Sequence, residues 1–202
     1  MSLYPHLKRP LDAAGAALLL VLLSPVLGLT ALAVWIALGT PVLFRQMRPG
    51  RHGRPFELLK FRTMTPEAGG AGDGRSDAAR LTRFGRALRR ASLDEWPQLW
   101  NVLRGDLSFV GPRPLLMEYL PRYSAEQARR HAVRPGVTGL AQVSGRNALD
   151  WPERLRLDVR YVDTLSFGLD VKILLRTILH VVRGTGVSAP GEATVARFQG
   201  EQ

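Results

Sequence analysis

The sequence predicts an α+β protein that is mainly helical. It has a re-entrant N-terminal membrane segment (helix, break, helix), a short β-hairpin and amphipathic helices at the membrane interface. Three observations lead to this fold class: a long uncharged apolar run, two short apolar runs around a polar turn, and several segments with helical periodicity. The 202 residues are 46% hydrophobic, enough for a core. We expect residues 1–44 to form a tail and the membrane hairpin, and residues 45–202 to form a domain at the membrane interface.

The chain is strongly basic, with 28 Lys and Arg against 17 Asp and Glu and a net charge of +11. This balance favours an anionic partner such as nucleic acid, anionic lipid or a phosphorylated substrate, without choosing among them. There is no cysteine, which excludes disulfides and thiolate metal sites. With four histidines in the chain, a zinc site would need histidine and carboxylate ligands.

An uncharged run covers residues 13–44, and its apolar part, 13–38, is long enough to cross a bilayer core of ~30 Å. Pro25 lies near its middle and has no N–H to donate to the Val21 carbonyl. We therefore expect the helix to break at Ser24 and Pro25. The Ser24 hydroxyl can hydrogen-bond the freed backbone group, which makes a break tolerable in lipid. Each half would reach only roughly 17–20 Å.

Positive charges flank the membrane segment on both sides, with Lys8 and Arg9 before it and a series of cations from Arg45 onward after it. Positive flanks prefer the cytoplasm, so a re-entrant hairpin satisfies both ends, whereas a single span satisfies one. We favour the hairpin and keep the span as the alternative, since a cleaved signal peptide does not fit so long an apolar run. Hairpin and span both place the rest of the chain in the cytoplasm.

Two short strands are predicted at residues 42–44 and 56–61, joined through a polar turn as a β-hairpin. The end of the hairpin carries Lys60 and Arg62, which we expect on one face. An edge strand with solvated charges is the alternative. Residues 66–79 are rich in Gly, Ala and Asp and predict a loop, either a lid or a linker.

Residues 81–90 predict a basic amphipathic helix, with Leu81, Phe84 and Leu88 on one face and arginines, including Arg89, on the rest. Such a helix is typical of a membrane surface or an anion site. It is equally typical of a helix packed on its own domain with a solvated basic face, and the sequence leaves both open.

An adjacent acid pair, Asp94 and Glu95, precedes a short apolar-periodic segment that stops at Gly105. With Asp94 as the N-cap, Pro97 falls in the first helical turn, where proline is tolerated. We therefore expect a helix from Asp94 to near Arg104. There the helix dipole would stabilise the Asp94 carboxylate. An isolated Asp-Glu pair is most often only a cap, so its position alone does not make it a reaction centre.

Further helices are predicted at residues 115–120 and 124–133, broken by Pro121, and at 151–163 and 170–183. The last of these is very apolar and should lie in the core or on the membrane.

Residues 134–147 are rich in Gly and turn-forming residues. Backbone N–H groups of such a loop can cradle phosphates or a nucleotide, and Arg146 supplies a planar guanidinium. Most Gly-rich loops are only turns, so this signal is weak when taken alone.

Short motifs run through nearly the whole chain in a highly specific combination. They are KFRTM at 60–64, SLDE at 92–95, PQLWNVLRGD at 97–106, VGPRP at 110–114, RPGVTGLAQ at 134–142, SGRN at 144–147, and Leu157-Asp158 with Tyr161-Val162. Together they resemble the monotopic phosphoglycosyl transferases of bacterial glycoconjugate pathways, also called bacterial sugar transferases. The chain resembles the small form, and its tail, at 186–194 and at Phe198 and Gly200, resembles the bacillosamine-pathway branch. Trp96 stands where leucine is usual, a change that affects packing only.

The resemblance implies transfer of a sugar-1-phosphate from a UDP-sugar to undecaprenyl phosphate, with release of UMP. This would be the first membrane step of bacterial glycoconjugate assembly. Asp94 would be the nucleophile that forms a covalent phospho-sugar intermediate, and Glu95 would help to bind a magnesium ion, Mg²⁺. The tail resemblance hints at an N-acetylated amino sugar, such as di-N-acetylbacillosamine.

The resemblance also implies a location. The protein would be monotopic in the bacterial inner (cytoplasmic) membrane, with its catalytic domain facing the cytoplasm. Membrane lipid would then be a partner and nucleic acid would not. A homo-oligomer is left open.

Physical chemistry supports this interpretation of the acid pair. Carboxylates are weak nucleophiles, but they serve where one phosphoryl transfer is split into two steps. Because two anions must meet, a metal and cations must offset their charge, and Mg²⁺ takes one or two carboxylates plus phosphate oxygens. Asp106 is a further carboxylate, either near the metal or capping a loop. The predicted substrate-binding residues are Lys60, Arg62, Arg89, Pro112, Arg113, Pro114, Arg146 and Asn147.

Two other function classes stay open from the sequence. A basic membrane-surface protein would need the positive charge but neither the acid pair nor magnesium, and its binding of lipid or nucleic acid would depend on salt. A phosphohydrolase with an aspartyl-phosphate intermediate would use water as the acceptor. The membrane segment favours a lipid acceptor over water.

Overall fold

The computed structural model describes residues 3–65, 80–145, 149–183 and 198–200, which are mainly helical. The helices and strands, numbered in chain order, are α1 (Tyr4–Leu22), α2 (Ser24–Leu38), β1 (Leu43–Pro49), β2 (Pro55–Phe61), α3 (Arg83–Arg90), α4 (Gln98–Arg104), β3 (Ser108–Val110), α5 (Ala125–Ala128), β4 (Gly136–Thr138), α6 (Leu140–Ser144), α7 (Trp151–Asp163) and α8 (Phe167–Arg183).

Phe198 and Gly200 of the tail motif are described, and Phe198 is buried beside Tyr119. Three predictions fall outside the described residues: the loop at 66–79, the 186–194 part of the tail motif, and the substrate contacts of Arg146 and Asn147. They stay predictions.

The break between α1 and α2 lies where the proline predicts it. The two helices are bent by 65° at Leu23. The Ser24 hydroxyl donates to the Val21 carbonyl at 2.8 Å, which is the carbonyl that Pro25 leaves without its helical donor. By length and apolar composition, none of the described helices crosses a membrane alone, and only this bent pair passes when taken together. The choice between a re-entrant hairpin and a broken span stays a prediction.

Helix α1 begins well before the uncharged run and packs along α4. Arg9 makes the main polar contact between them, donating to the carbonyls of Val102 at 2.8 Å and Leu103 at 2.7 Å. Carbonyls in the last turn of a helix lack an intrahelical donor, so the guanidinium stabilises the end of α4. A residue expected only as a flanking charge therefore holds α1 against α4.

Lys8 also attaches α1 to the rest of the protein, at the start of α8. Its ammonium and the Tyr4 hydroxyl both contact the Asp170 carboxylate at the start of α8. The Tyr161 hydroxyl lies 2.7 Å from the same carboxylate and 3.0 Å from the Val110 carbonyl. This buried polar cluster joins α1, α7, α8 and β3.

Strands β1 and β2 form the predicted antiparallel hairpin, with Leu43 opposite Phe61 and Pro49 opposite Pro55. The first strand runs further than the sequence indicates. Residues directly opposite each other in an antiparallel pair share a face of the sheet.

Asn101 attaches α4 to the hairpin. The side chain is fully buried. Its oxygen accepts from the Leu59 N–H at 3.1 Å, and its amide nitrogen donates to the Glu57 carbonyl at 2.8 Å. The same amide lies 3.3 Å from Asp106, whose carboxylate also pairs with Arg104. These contacts give Asp106 a role in the turn after α4.

Replacing Asn101 with alanine should lower the free energy of unfolding by about 2–4 kcal/mol, because two buried backbone groups lose their partner. Thermal and urea unfolding in detergent micelles measure the change. Arg90→Ala, on the exposed face of α3, is the control and should unfold like the parent protein. Equal stability of Asn101→Ala and Arg90→Ala would contradict the role assigned to Asn101.

Helix α3 packs against α2 and β2. Thr82 caps it by accepting from the Gly85 N–H at 2.9 Å. Leu88 is buried in a cluster with Val34 of α2 and Phe61 of β2. The apolar face of α3 is therefore packed within the protein. This agrees with one of the two alternatives from the sequence, a helix packed on its own domain.

The region around Pro121 differs from the prediction of two α-helices broken by that proline. Met117–Arg122 is a 3₁₀ segment that contains Pro121, and Arg129–Ala132 is a second one. Between them lies only the four-residue α5, with a capping box from Ser124 and Gln127. Proline cannot supply the N–H of an α-helical interior, and the chain forms the tighter 3₁₀ turn instead.

A parallel strand pair, β3 with β4, was not predicted. The Gly-rich segment supplies β4, and its glycines permit a close backbone approach. A Cβ on Gly136 would lie 2.1 Å from the Gly111 nitrogen. The Gly136 N–H donates to the Pro112 carbonyl at 3.0 Å. The segment thus fixes the chain around Pro112.

The last two helices confirm their predictions, α7 with the same bounds and α8 starting three residues earlier. Ile173 and Asp170 of α8 are buried, but most of its apolar side chains are exposed. The helix therefore lies at the surface rather than in the core, and its contact with lipid stays a prediction. The exposed apolar residues of α8 are Phe167, Val171, Leu174, Leu175, Ile178, Leu179, Val181 and Val182.

Candidate active site

The acid pair lies in a 3₁₀ turn, Leu93–Glu95, and not at the start of the helix. Ser92 has left-handed backbone angles (φ 55°), and the following N–H groups bond three residues back. Helix α4 begins only after Pro97, and no side chain caps it. The prediction that Asp94 is the N-cap is wrong, and the predicted dipole stabilisation of its carboxylate is not supported. The predicted end of the helix is confirmed, with Gly105 in left-handed conformation (φ 93°) after Arg104.

Glu95 is held by two cations from different parts of the chain. Its Oε1 lies 2.6 Å from Lys60 Nζ, at the end of β2, and 2.9 Å from Arg113 Nη2, just after β3. Burial raises the pKa of Glu95, but the charges and hydrogen bonds of the two cations outweigh it. They hold the pKa of Glu95 well below its usual range. Glu95 is therefore an ionised, fixed carboxylate.

Asp94 has a different environment. It is buried, with 7% of its surface exposed. Burial raises its pKa, and the negative charge of Glu95 raises it further, while Lys60, Arg89 and Arg113 oppose the shift. Within the part of the chain that the structure describes, its carboxylate has no hydrogen-bonding or ion-pair partner. Neighbouring carboxylates with pKa values pushed apart are typical of reaction centres.

Arg113 is positioned by a buried ion pair. Arg130 donates to the Arg113 carbonyl at 2.7 Å through Nη2. The same guanidinium contacts Asp158 Oδ2 through Nε at 3.0 Å and Nη2 at 2.6 Å. Arg130 and Asp158 are each 2% exposed. Sequence reasoning quoted Asp158 only as part of a motif and did not predict this role.

The other predicted cations separate into two groups. Arg89 donates to Thr63 Oγ1 at 3.1 Å, and its charge acts on Asp94. Arg62 is buried and donates to the carbonyls of Gly39 at 2.7 Å and Thr40 at 3.0 Å, and also to that of Leu38. Arg62 therefore closes the end of α2 with both terminal nitrogens, while its buried Nε has no acceptor among the described residues, and its predicted substrate contact stays a prediction.

A small cavity of about 70 Å³ is lined by the two cations that contact Glu95, whereas the acid pair itself is not part of its lining. Three cations line it, and one of them, Arg48, was not predicted as a site residue. Arg48 is opposite Phe56 in the hairpin, and Lys60 lies four residues along β2 from Phe56, so both cations share one face. Cross-strand pairing is the signal from which Arg48 could have been predicted as a site residue. The cavity is lined by Arg48, Leu58, Lys60, Gln98, Arg113, Pro114 and Leu115.

The carboxylates fit the donor set that Mg²⁺ prefers. The ion binds one or two carboxylates and completes its shell with water and substrate phosphate oxygens. Both cations contact Oε1 of Glu95, which leaves its Oε2 and the Asp94 carboxylate as donors. In the described residues no three His, Cys, Asp or Glu side chains are grouped as a metal site. Asp106 pairs instead with Asn101 and Arg104, at the turn after α4.

Comparison with known proteins places the chain in a family. The family model for bacterial sugar transferases matches residues 3–184. The uncharacterized sugar transferase EpsL of Bacillus subtilis (strain 168) is 52% identical over 194 residues, covering 96% of each chain. The UDP-glucose:undecaprenyl-phosphate glucose-1-phosphate transferase of Caulobacter vibrioides is 48% identical over 181 residues, covering 85% of this chain and 68% of the relative.

A more distant relative is named for the same kind of activity. The undecaprenyl-phosphate galactose phosphotransferase of Salmonella typhimurium is 36% identical over 200 residues, covering 89% of this chain and 41% of the relative. The predicted resemblance and the predicted enzyme class, a phosphoglycosyl transferase, are confirmed. The resemblance to the bacillosamine-pathway branch stays a prediction. The chain belongs to the bacterial sugar transferase family.

Proposed function

We propose that this protein transfers a sugar-1-phosphate from a UDP-sugar to undecaprenyl phosphate and releases UMP, through a covalent intermediate on Asp94. The activities for which the Caulobacter and Salmonella relatives are named support the two substrates. The observation that carries the proposal is the contrast within the acid pair. Glu95 is neutralised by Lys60 and Arg113, whereas the adjacent Asp94 keeps an unpaired carboxylate in the described structure.

The reaction would take two balanced steps. An Asp94 carboxylate oxygen attacks the sugar-bearing phosphorus of the UDP-sugar, and the bond between that phosphorus and the bridging oxygen breaks. UMP leaves with the electron pair of that bond. An oxygen of undecaprenyl phosphate then attacks the same phosphorus, and the Asp94 oxygen leaves as a carboxylate. The product is a diphosphate-linked sugar on the lipid.

The residues around Asp94 would offset the charge of this encounter. Lys60 and Arg113 already lie against Glu95, and Arg89 lowers the pKa of Asp94 through its charge. Glu95 and Asp94 would hold Mg²⁺, which would neutralise charge on the diphosphate. Pro112 and Pro114 restrict the backbone on either side of Arg113, whose guanidinium contacts Glu95.

The bent helix pair supports a position at the bacterial inner membrane. Arg9 and Lys8 attach α1 to the domain, and the exposed apolar face of α8 would contact lipid from the same protein. In this arrangement the site faces the cytoplasm, where nucleotide sugars are available. An N-acetylated amino sugar remains our proposal for the donor. No role for nucleic acid follows from this chemistry, and a homo-oligomer is left open.

A UMP-release assay over a panel of UDP-sugars, with undecaprenyl phosphate and Mg²⁺, tests the proposal. One donor should give continuous UMP release only when lipid phosphate is present, because the intermediate needs an acceptor. Continuous release of UMP without lipid would indicate a hydrolase. Salt-dependent lipid binding without any turnover would indicate a surface-binding protein.

The acid limb of the pH profile should reflect Asp94. Before Mg²⁺ binds, its pKa is raised by burial and by Glu95, so the anion that binds the ion and attacks phosphorus is lost at a higher pH than for an ordinary aspartate as pH falls. Arg89 opposes that shift, so Arg89→Gln should move the acid limb to still higher pH. The rate of adduct formation with a UDP-sugar, measured across the acid range, gives the acid limb of the parent protein and that of Arg89→Gln.

Arg90→Gln is the matched control for this profile. Arg90 is exposed on the same helix and does not contribute to the pKa of Asp94. Its acid limb should coincide with that of the parent protein. If Arg89→Gln and Arg90→Gln give the same limb, the electrostatic role of Arg89 is wrong.

A further inference from the structure

The cavity beside Glu95 contains more positive charge than the described residues neutralise. Lys60 and Arg113 share one carboxylate oxygen, Glu95 Oε1. Arg48, the third cation of the lining, has no carboxylate partner in the described part of the chain. Its Nη2 donates at 2.6 Å to the neutral amide oxygen of Gln46. The nearby carboxylates, Glu95 and Asp94, face Lys60 and Arg113, and in the described structure neither pairs with Arg48, which is left without an anion.

The position of Arg48 makes this imbalance costly. Its Nε is buried and has no hydrogen-bond acceptor in the described structure. Burial and the charge of Arg113 lower the pKa of Arg48 to about 10, so it stays charged at neutral pH. Arg48 as a whole is half-buried, and the desolvation of its buried Nε is not compensated by any described acceptor. A guanidinium with free donors is, in contrast, a ready ligand for phosphate.

The cavity has the size of a small anion. A water molecule needs about 10–15 Å³ by a comparable measure, so about 70 Å³ accommodates a group of several heavy atoms. Leu58, Pro114 and Leu115 form the apolar part of its wall. Apolar walls strengthen the attraction between the cations and an anion inside.

We propose that this cavity is a binding subsite for a phosphate monoester dianion, with Arg48 as a ligand alongside Lys60 and Arg113. The inference rests on the proposed function, in which two phosphate monoesters meet the site. One is UMP, the leaving nucleotide, and the other is the phosphate of the lipid acceptor. Arg48 touches neither Asp94 nor Glu95, so its role is binding the phosphate and not attacking the phosphorus.

Kinetics with Arg48→Met test the subsite. The Michaelis constants for the UDP-sugar and for undecaprenyl phosphate are measured separately, each with the other substrate saturating. Arg48→Met should raise one of them by about 10-fold or more, because one charge-assisted contact to phosphate is lost. An increase for the UDP-sugar assigns the subsite to the nucleotide, and an increase for the lipid assigns it to the acceptor. Arg48→Lys should recover part of the loss, since it restores charge without the planar fork.

Arg45→Met is the matched control. Arg45 lies on the same strand, is exposed and pairs with the exposed Glu57. It should leave both Michaelis constants unchanged. Product inhibition by UMP and by inorganic phosphate gives a second measurement on the parent protein and on Arg48→Lys, which does not depend on the folding of Arg48→Met. Weaker inhibition in Arg48→Lys supports the subsite.

The outcomes separate this inference from the proposed function. If the parent protein transfers sugar-phosphate and both Arg48 variants have unchanged constants and inhibition, the subsite is wrong and the function stands. If the parent protein shows no lipid-dependent UMP release with any donor, the proposed function fails and the subsite fails with it.

Discussion

Replacing Asp94 with asparagine is expected to abolish transfer, with turnover falling by at least about 10³-fold, because the amide cannot attack phosphorus. The fold should survive. Asp94 has no described hydrogen bond or ion pair, and its raised pKa means that the folded protein disfavours the charged form. A neutral asparagine removes that cost, so the melting temperature should equal or exceed that of the parent protein.

Mass spectrometry after incubation with a UDP-sugar, without lipid, measures the adduct directly. The parent protein should gain the mass of a sugar-phosphate, and Asp94→Asn should gain none. Glu95→Gln is an informative comparison, since it weakens the contacts with Lys60 and Arg113 and should lower both activity and stability. Adduct formation or full turnover in Asp94→Asn would show that another residue is the nucleophile.

Local chemistry explains which features the sequence could predict. The helix break follows from the missing N–H of Pro25. Ser24 is close enough in sequence for its hydroxyl to donate to the Val21 carbonyl without help from distant residues. The end of α4 follows from Gly105 in the same way. Such features depend on a few neighbouring residues, and the structure confirms them.

Features set by competing turns or by distant partners were not predictable in this way. The left-handed backbone of Ser92 selects a 3₁₀ turn over a longer helix, and this moves Asp94 away from the cap position. Arg62 was expected on the same face as Lys60, but β2 ends at Phe61 and the two-residue alternation ends with it. Arg48 can be recognised as a neighbour of Lys60 only when the two strands are paired in register.

The ion pair of Arg130 with Asp158 gives the second large effect we expect. Asp158→Asn leaves a buried guanidinium without its counter-ion, which should cost about 3–5 kcal/mol of stability. Because Arg130 also donates to the Arg113 carbonyl, the cation on Glu95 should lose its fixed position. We expect turnover to fall by about 10–100-fold and the Michaelis constant for the UDP-sugar to rise.

A double variant distinguishes positioning from stability. Arg130→Met with Asp158→Leu removes both buried charges, and such replacements are often neutral or stabilising. Its melting temperature should return toward that of the parent protein, whereas its turnover should stay low, because the Arg113 carbonyl still lacks a donor. Arg129→Met, at an exposed neighbour that pairs with Glu126 and Asp163, is the control. If the double variant regains both stability and turnover, the pair serves only the fold, and Arg113 is positioned by the backbone around Pro112 and Pro114 alone.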